Sequence, residues 1–334
     1  MSLARKVVPP LLALAFGIAL GATLLEGLVR LAGHRRRHVS TKIEAHYTAP
    51  WSRPDYRPIP EPGSGPVFRI VVVGDSFTWG DGVLAEDAYP HRLEHLLWAR
   101  HLPVRVEMHV ISRPGWSSAD EASALAARWP GIEPDLLIVG YVLNDPLPPP
   151  GAANEALREP TRRRRPAPGL SIWLYRHSFL FDLVWDRLEN TRQRNAFREH
   201  YETLHDPDEP GWKRARYALR SMQKLAAADS VPAVLAIFPV FDFENWDDYA
   251  YADIHRLVRH VGKGMGYEVL DLLPIYRGVD GVRLPVVPFT DAHPNELAHR
   301  MAAQALADFI IEEKLVPTEA PEAVGSGTPS PAQP

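Results

Sequence analysis

The 334-residue sequence contains no cysteine. A disulfide framework, a thiolate metal site and a thiol nucleophile are therefore excluded, although the missing cysteines do not decide the compartment. The net charge of −4 offers no basic excess for a nucleic-acid partner. Hydrophobic residues make up 46% of the chain, which is enough for a substantial core.

Two ligand-binding loops are also missing. The segment 74–82 is rich in glycine but lacks the Gly-Lys-Ser/Thr sequence of a phosphate-binding loop. The acidic and aromatic segment 241–248 lacks the regularly spaced oxygen ligands and the glycine bend of a calcium loop. We therefore predict a solvated loop at 241–248, near the cleft, and neither a cofactor nor a metal ion.

The longest apolar run is Val7–Leu25, which lies between Arg5-Lys6 and the arginines of 35–37. As a helix it would span roughly 28 Å, close to the ~30 Å hydrocarbon core of a bilayer. The apolar region of a cleaved signal peptide runs only ~7–15 residues, and no convincing cleavage site follows. Arginines at both ends disfavour a buried soluble helix, so residues 1–40 are predicted to carry an uncleaved single-span transmembrane anchor.

Composition divides the rest of the chain. Residues 41–66 hold six prolines and two glycines, which suit an extended tether. A folded domain is predicted over 67–316. The tail 317–334 is rich in proline, alanine, serine and glycine and is predicted to be disordered.

The most informative segment follows the apolar run Ile70–Val73, which has the pattern of a strand buried on both faces of a parallel sheet. The run stops at Gly74-Asp75-Ser76, and a helical pattern begins near Asp87. Ser76 therefore stands just past the carboxyl end of a strand, where ligands bind in open α/β sheets. A hydroxyl held there is a candidate nucleophile.

A matching base is present near the C-terminus. Asp291 and His293 lie two residues apart, just before Pro294, which suits the first position of a helix. A serine nucleophile needs a histidine to take its proton and a carboxylate to orient that histidine. Ser76, His293 and Asp291 are therefore the candidate catalytic residues.

Gly-Asp-Ser at Ser76 together with Asp-x-His-Pro-Asn from Asp291 resembles the first and last sequence blocks of the SGNH, or GDSL, hydrolase family. The resemblance covers 67–316. It implies a three-layer α/β/α sandwich, flavodoxin-like, with about five mostly parallel strands. Many family members place the aspartate three residues before the histidine, where this chain has Thr290, so the spacing here departs from the common pattern.

The two middle blocks are partial matches. Gly115 follows a predicted strand and corresponds to the family glycine whose backbone N–H contacts the oxyanion, although Arg113 replaces the usual asparagine. Asn144 in Asn-Asp-Pro corresponds to the family asparagine that donates to the oxyanion, although Val142 replaces the usual glycine. Read alone, each segment is also an ordinary turn. The resemblance implies an oxyanion hole of Ser76, Gly115 and Asn144.

Hydrophobic patterns place the remaining elements. Strands are predicted at 70–73, 104–111, 134–140, 233–238 and 267–270, and helices at about 117–128, 171–188, 212–228, 251–261 and 294–314. Segment 146–212 interrupts the β/α alternation as an insertion. Its helix, beside the basic run 162–165, either packs on the domain or forms a lid or membrane-facing element.

The resemblance implies a serine esterase or deacylase, acting on acetyl or other short O-acyl esters of an envelope glycan or lipid. An O-acyltransferase with the same triad and a non-catalytic glycan-binding module remain alternatives.

Asp75, Trp79 and Trp116 flank the predicted site and are candidate substrate-binding residues, where the tryptophans could stack a sugar ring or line an acyl pocket. The other histidines, His91, His95, His101 and His299, are predicted to be surface residues.

Two indications conflict on membrane orientation. More arginines follow the apolar run than precede it, which places the bulk of the chain in the cytoplasm by the positive-inside rule. Many anchored members of the resembling family face outward, and the Glu26/Arg30 ending of the run is similar to theirs. We expect a single-pass inner-membrane protein with an extracytoplasmic, periplasmic catalytic domain.

Overall fold

A computed structural model describes residues 3–31, 62–63, 65–147, 164–241, 246–287 and 291–318, and the side chains of residues 3–15 and 248 lie outside this description. Most of the predicted tether at 41–66 and of the tail at 317–334 also lies outside it. The described chain forms two compact units. One combines the N-terminal 40 residues with 154–200, and the other combines 41–153 with 201–334.

The second unit is an α/β domain built on a five-stranded parallel sheet, as predicted. Its strands have the order β2-β1-β3-β4-β5, and each neighbouring pair is parallel. They are β1 (Val67–Gly74), β2 (Arg105–Ser112), β3 (Leu136–Tyr141), β4 (Ala233–Ile237) and β5 (Glu268–Asp271). All of β3 and β4 is buried, as expected for central strands covered on both faces.

A short antiparallel pair was not predicted. It consists of β6 (Pro285–Val287) and β7 (Asp291–Pro294). Pro294 is therefore the last residue of a strand, and the prediction that it begins the closing helix is wrong.

Helices flank the sheet. They are α2 (Ser76–Trp79), α3 (Tyr89–Ala99), α4 (Ser118–Ile132), α7 (Pro210–Ala228), α8 (Ala252–Met265) and α9 (Glu296–Glu312). Helix α3 packs against α9, whereas α4 packs against α7, and α7 also contacts α8. The predicted helices correspond to α4, α7, α8 and α9 with boundaries shifted by a few residues.

The segment 241–248 differs from its prediction. Phe241 and Trp246 are buried. The Phe241 ring packs edge to face against the rings of Trp246 and Tyr276, and the Trp246 ring lies tilted against that of Tyr276. The prediction of a solvated loop is therefore wrong at both residues. Burial of their large aromatic rings is favourable because it removes apolar surface from water. Residues 242–245 lie outside the described chain.

The first unit contains α1 (Leu3–Leu31), α5 (Leu170–His177) and all but the last four residues of α6 (Phe179–Leu204). The sequence predicted a single helix over 171–188, but the backbone is extended at Ser178 and two helices result. Within the described residues, no helix combines the length and apolar character needed to cross a bilayer. The predicted membrane span, residues 7–25, includes residues 7–15, whose side chains lie outside the described part of the structure.

A network of hydrogen bonds connects α1 with the start of α6. The carboxylate of Glu26 accepts from the backbone N–H groups of Phe179, at 2.9 Å, and Leu180, at 2.8 Å, and from Ser178 Oγ, at 2.8 Å. Arg30 bonds the same carboxylate at 2.7 Å and donates to the carbonyl of His177 at 3.1 Å. Glu26 thus satisfies the free N–H groups at the start of α6, a service that a cap residue normally provides from within the same helix.

Candidate active site

Ser76 is the first residue of α2, immediately after the carboxyl end of β1. Asp75 caps this four-residue helix, because its Oδ1 accepts from the backbone N–H of Phe77 at 2.9 Å. The Ser76 side chain is nearly buried, and its Oγ lies 3.0 Å from Nε2 of His293 and 3.3 Å from Oδ2 of Asp75. The structure therefore holds the hydroxyl between a histidine and a carboxyl group.

Two paired glycines make room beneath α2. Gly74 on β1 and Gly140 on β3 are direct partners in the sheet. A Cβ on Gly74 would lie only 2.0 Å from Oγ1 of Thr78, and a Cβ on Gly140 would lie 2.6 Å from Oη of Tyr89. These two hydroxyls are bonded to each other at 2.9 Å. Glycine at both positions thus allows α2, the helix that carries Ser76, to pack closely against the ends of β1 and β3.

His293 and Asp291 stand on β7 and meet as the sequence predicted. Nδ1 of His293 lies 2.6 Å from Oδ1 of Asp291, and the backbone N–H of His293 donates to the same oxygen at 3.1 Å. The two-residue spacing therefore suffices to orient the ring through both its backbone and its side chain. With Nδ1–H donating to Asp291, Nε2 is left to accept the proton of Ser76.

Asn295, two residues after His293, supports this arrangement and was not singled out from the sequence. Its Oδ1 accepts from the backbone N–H groups of Leu297 and Ala298, so it caps α9. Its Nδ2 donates to the carbonyl of Arg283 at 2.7 Å, just before β6. Asparagine before a helical pattern is a recognised cap signal, and it could have located this residue.

Charge around His293 favours its protonated form. Burial lowers the pKa of the imidazole, but the hydrogen bond and charge of Asp291, with the charges of Asp81 and Asp75, outweigh burial and raise the pKa above its ordinary value. The Asp81 carboxylate lies 4.0 Å from Nε2 of His293. The imidazole must be neutral to accept the serine proton, so the pKa of His293 sets the pH above which Ser76 can be activated.

Asp75 is fully buried, so its side chain does not reach the surface where a substrate would bind. Its Oδ2 accepts from Nδ2 of Asn144 at 3.0 Å and lies 3.3 Å from Oγ of Ser76, where it competes with Nε2 of His293 for the single hydroxyl proton. Burial raises the pKa of this carboxyl, and the hydrogen bonds from Phe77, Asn144 and Ser76 oppose the rise. The arrangement fits a positioning residue for Ser76 and Asn144 better than the substrate-binding part predicted for it.

Asn144 and Gly115 follow β3 and β2 at the same edge of the sheet as Ser76. The Asn144 amide has two N–H groups, so its bond to Asp75 leaves a second donor for a ligand. Gly115 is exposed, with a φ of 77° that a residue bearing a side chain would adopt only with strain. An added Cβ there would touch nothing within 4 Å, so backbone conformation and not crowding favours glycine.

Asp145 was not singled out from the sequence, yet it fixes the loop that carries Asn144. It is buried, its backbone carbonyl accepts from the N–H of Ser118, and its Oδ2 accepts from Ser118 Oγ, both at 3.2 Å. These bonds connect the loop after β3 to the start of α4. Burial, and then the charge of the fully buried Glu121, raise the pKa of the Asp145 carboxyl.

The predicted tryptophans differ in exposure. Trp79 ends α2 with 57% of its surface exposed, whereas Trp116 is half-buried against the core. The ring of Phe77 lies 5.5 Å from that of His293, centroid to centroid, and forms an apolar wall of the site. Of the two tryptophans, Trp79 is therefore the more exposed, and it stands on the same short helix as Ser76.

The prediction for the remaining histidines is wrong at His299. This residue is fully buried on α9, and its Nδ1 accepts from the backbone N–H of Tyr89 at 3.2 Å. Burial lowers its pKa to about 3, so the ring stays neutral and acts as a core acceptor. His91 and His95 are half-buried, and His101 is exposed.

Comparison with known proteins identifies a family whose model matches most of this chain. The model of the GDSL-like Lipase/Acylhydrolase family matches residues 72–301. No curated protein matches the chain. Among solved structures, TesA is 14% identical with a TM-score of 0.45, and the match covers 74% of this chain and 99% of that one.

Two further solved structures are similar. The psychrotrophic esterase EstA from Pseudoalteromonas sp. is 14% identical, with a TM-score of 0.42 and coverage of 74% of this chain and 98% of that one. The lipase/acylhydrolase from Enterococcus faecalis is 12% identical, with a TM-score of 0.44 and coverage of 76% and 100%. Because the family model spans most of the chain, including Ser76 and His293, this protein belongs to the GDSL-like lipase/acylhydrolase family and is an SGNH-type ester hydrolase.

Proposed function

We propose that the protein is a serine esterase or deacylase that removes O-acyl groups, acetyl or another short chain, from an envelope glycan or lipid. The observation that carries the proposal is the continuous hydrogen-bond chain from Ser76 Oγ through the His293 ring to Asp291, with distances of 3.0 and 2.6 Å. A nucleophile, a base and an orienting carboxylate in this order are what acyl transfer requires.

The reaction follows from these contacts. Oγ of Ser76 attacks the ester carbonyl carbon while its proton passes to Nε2 of His293. The resulting oxyanion is held by the backbone N–H groups of Ser76 and Gly115 and by the free N–H of the Asn144 amide. As the tetrahedral intermediate collapses, Nε2–H protonates the leaving alkoxide and the C–O bond breaks. Water then attacks the acyl carbon while its proton passes to Nε2 of His293. The second tetrahedral intermediate collapses, the bond between the acyl carbon and Oγ of Ser76 breaks, and Nε2–H returns the proton to Oγ as the acid is released.

The test uses the full-length protein with p-nitrophenyl acetate, butyrate and octanoate. We expect Ser76→Ala to lower kcat/KM by at least roughly 10³, because the covalent path is lost and only binding and oxyanion contacts remain. The control is Ser123→Ala, which removes an exposed hydroxyl from α4. Turnover that survives Ser76→Ala would contradict the serine mechanism.

The same experiment separates the alternative acceptors. Acyl transfer to an added sugar that exceeds hydrolysis would assign the protein as an O-acyltransferase with the same triad. No turnover of any ester by the wild-type protein would favour a glycan-binding module.

We further propose that α1 anchors the chain in the cytoplasmic membrane and that the catalytic unit lies on the extracytoplasmic side. The support for the anchor is the sequence of Val7–Leu25, with 19 apolar residues between basic flanks. The support for the extracytoplasmic side is the Glu26/Arg30 ending of this run, which is similar to that of anchored family members, although the positive-inside rule favours the opposite side.

A further inference from the structure

A second carboxylate faces the catalytic histidine from the side opposite Asp291. Asp291 bonds Nδ1, whereas Oδ2 of Asp81 lies 4.0 Å from Nε2. The Asp81 side chain is 50% exposed, so it stands at the open rim of the site. Neither the proton path nor the oxyanion contacts derived above use this group.

The position of Asp81 is fixed by the nucleophile's own residue. The backbone N–H groups of Gly80 and Asp81 both donate to the carbonyl of Ser76 at 3.0 Å. On its other side, Gly82 lies so close to β6 that an added Cβ would come within 2.7 Å of the Val286 side chain. Asp81 is therefore connected both to the helix that carries Ser76 and to the strand pair that carries His293.

This placement has a consequence for the leaving alcohol. Nε2 must come within roughly 2.6–3.2 Å of the leaving oxygen to protonate it. The Asp81 carboxylate oxygen lies 4.0 Å from the same nitrogen. It is therefore within reach of a second hydroxyl on the leaving alcohol, on the carbon adjacent to the one that bears the ester oxygen. A charged acceptor of this kind favours an alcohol that donates a hydrogen bond and disfavours one that is itself anionic.

We propose that Asp81 is a specificity-determining residue that accepts a hydrogen bond from a hydroxyl adjacent to the scissile ester, so that the site selects O-acylated polyols and saccharides over esters of simple alcohols. The exposed ring of Trp79, two residues before Asp81, adds an aromatic face of the kind on which sugar rings stack. This inference rests on the esterase function proposed above and names its substrate class.

The test compares two esters of similar size, glycerol 1-acetate and propyl acetate, in the full-length protein. If the p-nitrophenyl series favours a longer acyl chain, the corresponding pair is used. Both esters give the same acyl-enzyme, so the ratio of their kcat/KM values reports acylation alone. Each ratio is divided by the corresponding ratio for hydroxide-catalysed hydrolysis, which removes the difference in leaving-group reactivity.

We expect the wild-type protein to prefer the glycerol ester by about tenfold, the size of one charge-assisted hydrogen bond at a half-exposed site. Asp81→Ala should bring the ratio close to one, and Asp81→Asn should give an intermediate ratio because its amide oxygen still accepts. Glu86→Gln removes an exposed acid from the following turn and should keep the wild-type ratio.

Because the readout is a ratio within one variant, a general loss of activity cancels. A wild-type ratio near one, or a ratio that Asp81→Ala leaves unchanged, would overturn the inference. Its failure is distinguishable from failure of the esterase proposal, because the latter would abolish Ser76-dependent turnover of both esters.

Discussion

Gly140→Ala tests how closely the nucleophile helix fits the sheet without changing any group that takes part in chemistry. An added Cβ would lie 2.6 Å from Oη of Tyr89 and 2.7 Å from Oγ1 of Thr78, whereas ordinary contact begins at 3.4 Å. The two hydroxyls are bonded to each other, so neither can turn away without losing its partner. The φ of Gly140 is not positive, so crowding is the only obstacle to alanine.

The methyl group therefore requires a shift of about 0.7 Å in Thr78 and about 0.8 Å in Tyr89. Overpacking of this kind typically costs about 1–3 kcal/mol of stability. Thr78 lies two residues after Ser76 on α2, so the shift reaches the hydrogen bond between Ser76 and His293. Because reacting groups tolerate little displacement, we expect kcat/KM to fall by roughly tenfold as well.

Urea unfolding of the full-length protein and kcat/KM for a p-nitrophenyl ester measure the two effects. Gly131→Ala is the matched control, because its Cβ would meet nothing within 4 Å on α4 and helix propensity predicts a change of at most about 1 kcal/mol in the stabilising direction. In a Thr78→Ala, Tyr89→Phe background both obstructing hydroxyls are gone, so Gly140→Ala should cost much less. An equal cost in both backgrounds would refute the steric reasoning.

The remaining predictions concern the acid limb and the membrane side. Asp291→Asn removes the hydrogen-bonded charge that contributes most to raising the pKa of His293 and leaves the charges of Asp81 and Asp75. The acid limb of the kcat/KM profile should therefore move to lower pH, and the plateau of the profile should fall by roughly 10²–10⁴. An unmoved acid limb would show that a group other than His293 titrates there. For the membrane side, Tyr217→Cys places one thiol on a highly exposed site of α7 in a chain with no other cysteine. A membrane-impermeant maleimide should label it in spheroplasts, and labelling only after lysis would place the catalytic unit in the cytoplasm.

The central strands could be predicted from the sequence because they are short continuous apolar runs with turn signals at their ends. Ile70–Val73 and 136–140 illustrate the point, since burial on both faces leaves no polar position to confuse the pattern. Ser76, His293 and Asp291 could be found for a related reason. Each stands at or beside a strand end, and the resemblance indicated which residues to bring together.

Other features depend on contacts that sequence spacing does not reveal. His299 and Trp246 carry polar atoms in segments that look solvated, and only tertiary packing buries them. The strands β6 and β7 are three and four residues long, too short to show a period. Asp75 looked like a rim residue because it neighbours Ser76, yet its helix-capping role turns the carboxyl inward.

The Glu26 network also constrains the order of events during synthesis. Glu26 and Ser178 are 152 residues apart, and at roughly 5–20 residues per second the ribosome needs about 8–30 s to make the intervening chain. Arg30, by contrast, is one helical turn from Glu26 and emerges with it. Arg30 is therefore close enough in sequence to pair with Glu26 as soon as α1 is made, whereas the bonds from Ser178, Phe179 and Leu180 can form only after the start of α6 has been synthesised.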